Sequence, residues 1–176
     1  MSHEFTLIIE GLDLDDEAQG DALFERCDDA TFGEVDGVGY GDFHREADSL
    51  ADAVVAAVHD VESIPGLRVR HAEPDTLVTA AEIAERLEFS KEYVRLLAKG
   101  ERGSERGTFP APVSHVRGRN RLWRWADVAA WNGQAEEARD AYALAAVNAL
   151  LDLRIVRNVI PDDWKRLVYA FVSEAA

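Results

Sequence analysis

The sequence predicts an α+β fold in three parts: a strand-and-helix domain over residues 1–73, a basic helix-and-hairpin domain over 77–132, and a helical segment over 134–176. Three observations carry that prediction. Strand-type and helix-type apolar patterns alternate through the first part. Basic side chains gather in the second. The third is rich in helix formers and is broken by Pro161.

Charge gives the division its sharpest form. The 176 residues carry a formal charge of −15, with 47% hydrophobic residues and one cysteine. Residues 1–76 hold 20 acidic and 4 basic side chains (net −16), 77–132 hold 7 and 10 (net +3), and 133–176 hold 7 and 5 (net −2). The whole-chain value argues against a polyanionic partner, because phosphates repel acidic proteins. Divided by segment, it marks the middle block as the part able to meet one.

Phe5–Glu10 is a β-rich run closed by Gly11. Asp15 or Asp16 caps a helix running to Cys27, with Ala22, Leu23 and Phe24 as its apolar contacts. Ala30–Gly33 and Val38–His44 flank Asp36-Gly37, a pair suited to the positive φ angles of a tight hairpin turn. Ser49 caps a helix with Leu50, Val54, Val55, Val58 and Val61 at helical spacing, and Pro65-Gly66 stops it. Leu67–His71 alternates as a last strand. The order β-α-β-β-α-β predicts a ferredoxin-like domain. Residues 72–77, with Pro74, read as a linker.

From Thr79 the pattern changes. Ile83, Ala84 and Leu87 form the inner face of a short helix, Phe89 fills a corner, and Ser90 caps a second helix whose Val94 and Leu97 turn inward. These spacings fit a helix-turn-helix, with Glu88 at the turn position that usually carries glycine. Lys91, Glu92, Tyr93, Arg95 and Lys99 then lie on or beside the open face, where a carboxylate at Glu92 is best accommodated by a cytosine amine or a neighbouring arginine. A loop over Gly100–Gly107 leads through Pro110-Ala-Pro112 to Val113–Val116, the tip Arg117-Gly-Arg-Asn120, and Arg121–Trp125. The two flanks predict a β-hairpin whose arginines can meet phosphates or a narrow minor groove. Ala126–Trp131 starts a closing helix, with Val128 and Trp131 expected to pack under the hairpin with Trp123 or Trp125.

Thr79–Leu97, Phe109–Pro112, Arg117–Arg121 and Leu122–Trp131 together resemble the winged helix-turn-helix of MerR-type and excisionase-type DNA-binding proteins. The resemblance covers about a third of the chain. It implies binding of double-stranded DNA, with the second helix in the major groove and the wing beside the backbone. The coiled-coil dimerisation helix and effector domain usual in MerR regulators are not recognisable in this sequence.

Residues 134 to about 160 predict a long helix with Tyr142, Leu150, Leu153, Val156 and Ile160 available for one face. Pro161-Asp-Asp163 opens a last helix to Glu174, striped by Trp164, Leu167, Val168 and Phe171.

Other chemistries find little support. One cysteine excludes an internal disulfide framework and a multi-cysteine zinc site. The acidic run at Asp13, Asp15, Asp16 and Glu17 lacks the ligand alternation of a calcium loop, and His3, His44, His59, His71 and His115 form no local ligand pair. The glycines of 100–107 lack the Gly-Lys-Ser/Thr ending of a phosphate-binding loop. With no signal peptide in view, and 141–151 too short to span a bilayer and interrupted by Asn148, a soluble cytoplasmic protein is expected.

The function expected from sequence is therefore a DNA-binding transcriptional regulator, not an enzyme, needing no metal or cofactor and acting as a homodimer. Its candidate DNA contacts are Thr79, Ser90, Lys91, Glu92, Tyr93, Arg95 and Lys99, with Arg117, Arg119, Asn120 and Arg121 in the hairpin. Arg95 or Lys91 would read a base edge, while Ser90 and the hairpin arginines would hold the backbone. The alternative is a protein-interaction module (an antitoxin, an adaptor or a phage-related accessory factor) that uses the acidic first domain against a protein partner.

Overall fold

A computed structural model of the chain describes residues 1–74, 76–115, 120–160 and 163–172. Among these residues the protein is a mixed α/β structure with seven α-helices, a four-stranded antiparallel sheet and a two-stranded sheet.

The four-stranded sheet is built from β1 (Ser2–Glu10), β2 (Ala30–Val35), β3 (Val38–Glu46) and β4 (Arg68–Glu73) in the order β2-β3-β1-β4. Asp36 and Gly37 join β2 to β3 with φ angles of 52° and 79°, the left-handed pair that a two-residue hairpin turn needs. Strand β4 spans 68–73 rather than 67–71, and Leu67 enters the core just before it. One face of the sheet, carrying Phe5, Leu7, Ile9, Phe43 and Val69, is packed against helices.

Asp16 caps helix α1 (Glu17–Arg26) through hydrogen bonds from the Ala18 and Gln19 amides. The expected inward role of Phe24 is not realised, since it is 80% exposed. Leu23 and Cys27, four apart, share the buried line, and Phe24 is rotated away from it. Burial pushes the Cys27 thiol up to about 11, so it is a protonated packing group. Ser49 caps helix α2 (Leu50–Glu62), accepting from the Asp52 amide at 3.2 Å. Its buried face is Ala53, Val54, Ala57, Val58 and Val61, whereas Val55 points outward.

Leu77, expected as the last residue of a linker, instead opens a strand, β5 (Leu77–Thr79), paired antiparallel with β6 (Leu122–Arg124), and Ala72 and Glu73, expected in the same linker, belong to β4. The anticipated hairpin is reduced among the described residues to one bridge between Ser114 and Leu122, so β6 is held on one side by Ser114 and on the other by Thr79. Helices α3 (Ala80–Arg86), α4 (Lys91–Ala98) and α5 (Trp125–Trp131) gather round a second core of Val78, Ile83, Ala84, Val94, Leu97, Phe109, Trp123 and Val128. Trp123, Trp125 and Val128 share this core and Trp131 packs against it. Phe109 stands between, 5.0 Å from the Trp131 ring and 6.3 Å from the Trp123 ring. Each indole N–H has an acceptor: Trp123 donates to the Pro110 carbonyl, Trp125 to Glu137 and Trp131 to the Gly107 carbonyl.

Helix α6 (Ala135–Val159) joins the two cores. Leu144 and Leu151 belong to the first, and Ala138 and Ala141 to the second. Sequence spacing selected the wrong face of this helix. The buried line runs through Ala138, Ala141, Leu144, Asn148 and Leu151, while Tyr142, Leu150 and Val156 are exposed, Leu150 by 61%. Apolar residues occur on both sides, and the closely packed side is the one with alanines. Arg154 clamps α6 to Glu62 at 2.6 and 2.8 Å, and Glu62 also accepts from the Val69 amide. The last helix, α7 (Trp164–Val172), carries Trp164 beneath the Arg157 guanidinium. The Pro161-Asp162 start and the Glu174 end expected for it lie outside the described residues. Among the described residues, no helix is long and apolar enough to cross a membrane.

Candidate functional site

Thr79 and Ser90 set the geometry of the α3–α4 pair. Thr79 Oγ1 accepts from the Glu82 amide at 3.3 Å, and the Glu82 carboxylate accepts from the Thr79 amide at 2.6 Å, a reciprocal capping box. Those hydrogen bonds hold the Glu82 carboxyl below its usual range. Helix α3 ends in a tight reversal, with Phe89 N–H donating to the Ala84 carbonyl at 2.8 Å and Glu88 at φ 54°. The sequence therefore places a side chain where the backbone takes the conformation glycine favours. Ser90 Oγ accepts from the Tyr93 amide at 3.1 Å and starts α4. Behind the corner, Val94 and Leu97 are buried with Ile83 and Ala84.

The other side of α4 is open. Lys91, Glu92, Arg95 and Lys99 are exposed, and Tyr93 is half-buried with its ring edge-on to Phe89 at 5.1 Å. Arg95 lies side-on to Glu92: its Nε donates to one carboxylate oxygen at 2.7 Å and its Nη2 donates to the other. The pairing lowers the Glu92 pKa and raises that of Arg95, first through the hydrogen bonds and then through the opposed charges. Lys99 is 3.8 Å from Glu101. The helix face is thus less positive than its lysine and arginine content suggests.

Beyond α4 the chain turns through Gly100 and Gly103, both at positive φ; a Cβ on Gly103 would lie 2.4 Å from Leu97. Arg106 is exposed but held at the surface, donating to Asn132 at 2.7 Å and lying over the Trp131 ring. Arg102 is exposed in this loop, a surface cation that no helical or strand spacing marks. Asn120 and Arg121 are exposed before β6, whereas Arg117 and Arg119 lie outside the described residues. Of the residues singled out from sequence, Thr79 and Ser90 are occupied as helix caps, and Tyr93 as a corner contact. Lys91, Glu92, Arg95 and Lys99 share one helix.

A second concavity, a cleft of about 860 Å³, opens between the two cores. Leu50, Trp125 and Leu144 form part of its lining, and Arg86 stacks over Trp125 at 4.9 Å. Four carboxylates line it (Glu4, Glu136, Glu137 and Asp140), so it disfavours anions. Among the described residues, no group of three or more His, Cys, Asp or Glu is placed to hold a metal ion.

No protein-family model, no curated protein and no solved structure matches this chain.

Proposed function

We propose that the protein binds double-stranded DNA, as a transcriptional regulator rather than an enzyme, by presenting α4 to the major groove and the segment before β6 to the adjacent backbone. The observation that carries this reading is the exposed α4 face, with Lys91, Glu92, Arg95 and Lys99 on a helix anchored from behind by Val94 and Leu97. It lies in the only segment of the three with a net positive charge. The Ser114–Leu122 bridge next to exposed Asn120 and Arg121 supports a wing, and so a winged helix-turn-helix for residues 77–132. The order β2-β3-β1-β4 with two intervening helices supports a ferredoxin-like first unit. The reading requires no metal or cofactor and belongs in the cytoplasm.

One helix reads a short site, so the active species is a homodimer. The exposed apolar side chains of α6, among them Tyr142, Leu150 and Val156, offer it an interface. Fluorescence anisotropy on duplex DNA across a salt series tests the reading. Lys91→Ala and Arg121→Ala are expected to weaken binding to all duplexes and to lower the salt slope by about one each. Unchanged affinity and slope in both would remove this surface from the interface. Sedimentation showing only monomer, alone and on DNA, would defeat the dimer.

A second reading rests on residues 1–76, whose 20 acidic side chains suit a basic protein partner. Capture from cell extract with and without nuclease separates the two, since a partner retained after nuclease treatment supports protein recognition.

A further inference from the structure

We infer that Glu92 is a positioning residue that aims Arg95 at guanine, so that these two side chains act as one specificity element in the major groove. The inference rests on the DNA-binding reading above and deepens it.

A guanidinium has five N–H donors arranged around a plane. Glu92 engages the side edge, taking Nε and one hydrogen of Nη2. The end edge, formed by Nη1 and the second hydrogen of Nη2, is left for another acceptor pair. Its two parallel donors match O6 and N7 of guanine, the pairing arginine makes most often with a base. A guanine contact through that edge keeps both bonds to Glu92. A phosphate contact through the side edge must break them, and it also brings a phosphate toward a carboxylate.

Position on the helix reinforces the choice. Glu92 stands in the first turn of α4, where a carboxylate is favoured by the helix N-terminus, and Arg95 follows one turn later on the same face. Lys99 is turned toward Glu101 and Tyr93 is packed against Phe89. Arg95 is thereby fixed at two donors by its own helix, and non-specific attraction to the backbone is reduced. A carboxylate on a DNA-facing helix lowers affinity for arbitrary sequence and raises the contrast between sequences.

Selection from random duplex DNA with the full-length chain, followed by anisotropy on the selected site, tests this. Wild type is expected to enrich a guanine in each half-site, and replacing it by 7-deazaguanine or adenine is expected to weaken binding about 10-fold. Glu92→Gln and Glu92→Ala should bind random duplex several-fold more tightly with a steeper salt slope, while discrimination at that guanine falls to about 2-fold. Arg95→Ala should lose the guanine preference outright. Both side chains are exposed, and unchanged thermal melts confirm that the variants fold. Glu92→Gln with the same enriched motif, discrimination and salt slope as wild type would overturn the inference and leave DNA binding intact. No binding to any duplex by any of these proteins would overturn the DNA-binding reading, and this inference with it.

Discussion

Asn148 on α6 uses its side-chain amide to pair with both main-chain groups of Ala72 on β4: Nδ2 donates to the carbonyl and Oδ1 accepts from the amide, each at 2.8 Å. Ala72 lies on an outer strand of the sheet, with Leu7 of β1 as its neighbour on the inner side. The amide thus supplies, in two bonds, what a further strand would have offered the open edge. Asn148 is the one buried polar residue of the described core, and both ends of its amide are satisfied.

Asn148→Leu strands two buried main-chain groups and is expected to cost about 3 kcal/mol, read from urea unfolding. Asn158→Ala, at an exposed position of the same helix, serves as the control and is expected within about 0.5 kcal/mol of wild type. An equal loss in both variants would overturn this assignment, because both substitutions raise helix propensity and only Asn148 pairs with Ala72.

Arg45 donates to Asp29 through Nε at 2.6 Å and Nη2 at 3.0 Å, and to Asp60 through Nη1 at 2.7 Å, with its side chain only 12% exposed. The guanidinium holds the Asp29 carboxyl below its ordinary range. Because the folded state binds that proton less readily than the unfolded one, its stabilisation is complete above the unfolded pKa near 4 and is lost as pH falls through the folded value. Asp29→Asn is expected to cost about 1–2 kcal/mol at neutral pH, discounted for partial exposure and for the remaining Asp60 contact. Its stability should also decline less steeply than wild type as pH falls below about 4, which chemical denaturation at several pH values measures.

Glu88 adopts φ 54°, where a Cβ is unfavourable and glycine is at ease. Glu88→Gly is expected to stabilise the fold by about 0.5–1 kcal/mol, a rise in midpoint that thermal melts detect. Glu88→Val should go the other way, since a β-branched residue tolerates that conformation worst.

Phe109 is buried between Trp123 and Trp131. Phe109→Ala is expected to cost about 3–5 kcal/mol and to loosen the loop held against Trp131. Near-ultraviolet circular dichroism reports on the tryptophans, and Phe109→Leu should retain most of the signal. An unchanged spectrum in the alanine variant would show that the rings are placed without the wedge.

The parts of the fold most legible in the sequence are those fixed by local chemistry. Asp36-Gly37 marks its turn because few residue pairs suit two positive φ angles, and Asp16, Ser49 and Ser90 mark helix starts because their side chains cap nearby amides, whereas the Thr79 cap emerges only in the structure. Helix α6 was harder to read because it is apolar on two sides. The large residues Tyr142 and Leu150 drew attention, while close packing selected the small Ala138 and Ala141. Strand β5 escaped because three residues are too few to show alternation, and its partner Leu122–Arg124 is more than forty positions away. At the candidate site, Lys91, Arg95 and Lys99 are apparent as cations on a helix. The engagement of Arg95 with Glu92 and of Lys99 with Glu101 depends on rotamers that spacing does not specify. The contacts of exposed Arg106 with Trp131 and Asn132 are likewise a tertiary outcome.

Because α6 contributes Leu144 and Leu151 to one core and Ala138 and Ala141 to the other, the two cannot melt independently of it. Detaching the helix from either side exposes apolar surface on the other, so heat or denaturant should dismantle both in a single transition. The same geometry governs dissection of the chain. A fragment ending before Ala135 is not a smaller working copy but a body with two open flanks, prone to association that has nothing to do with function. Helix α6 is thus a shared wall.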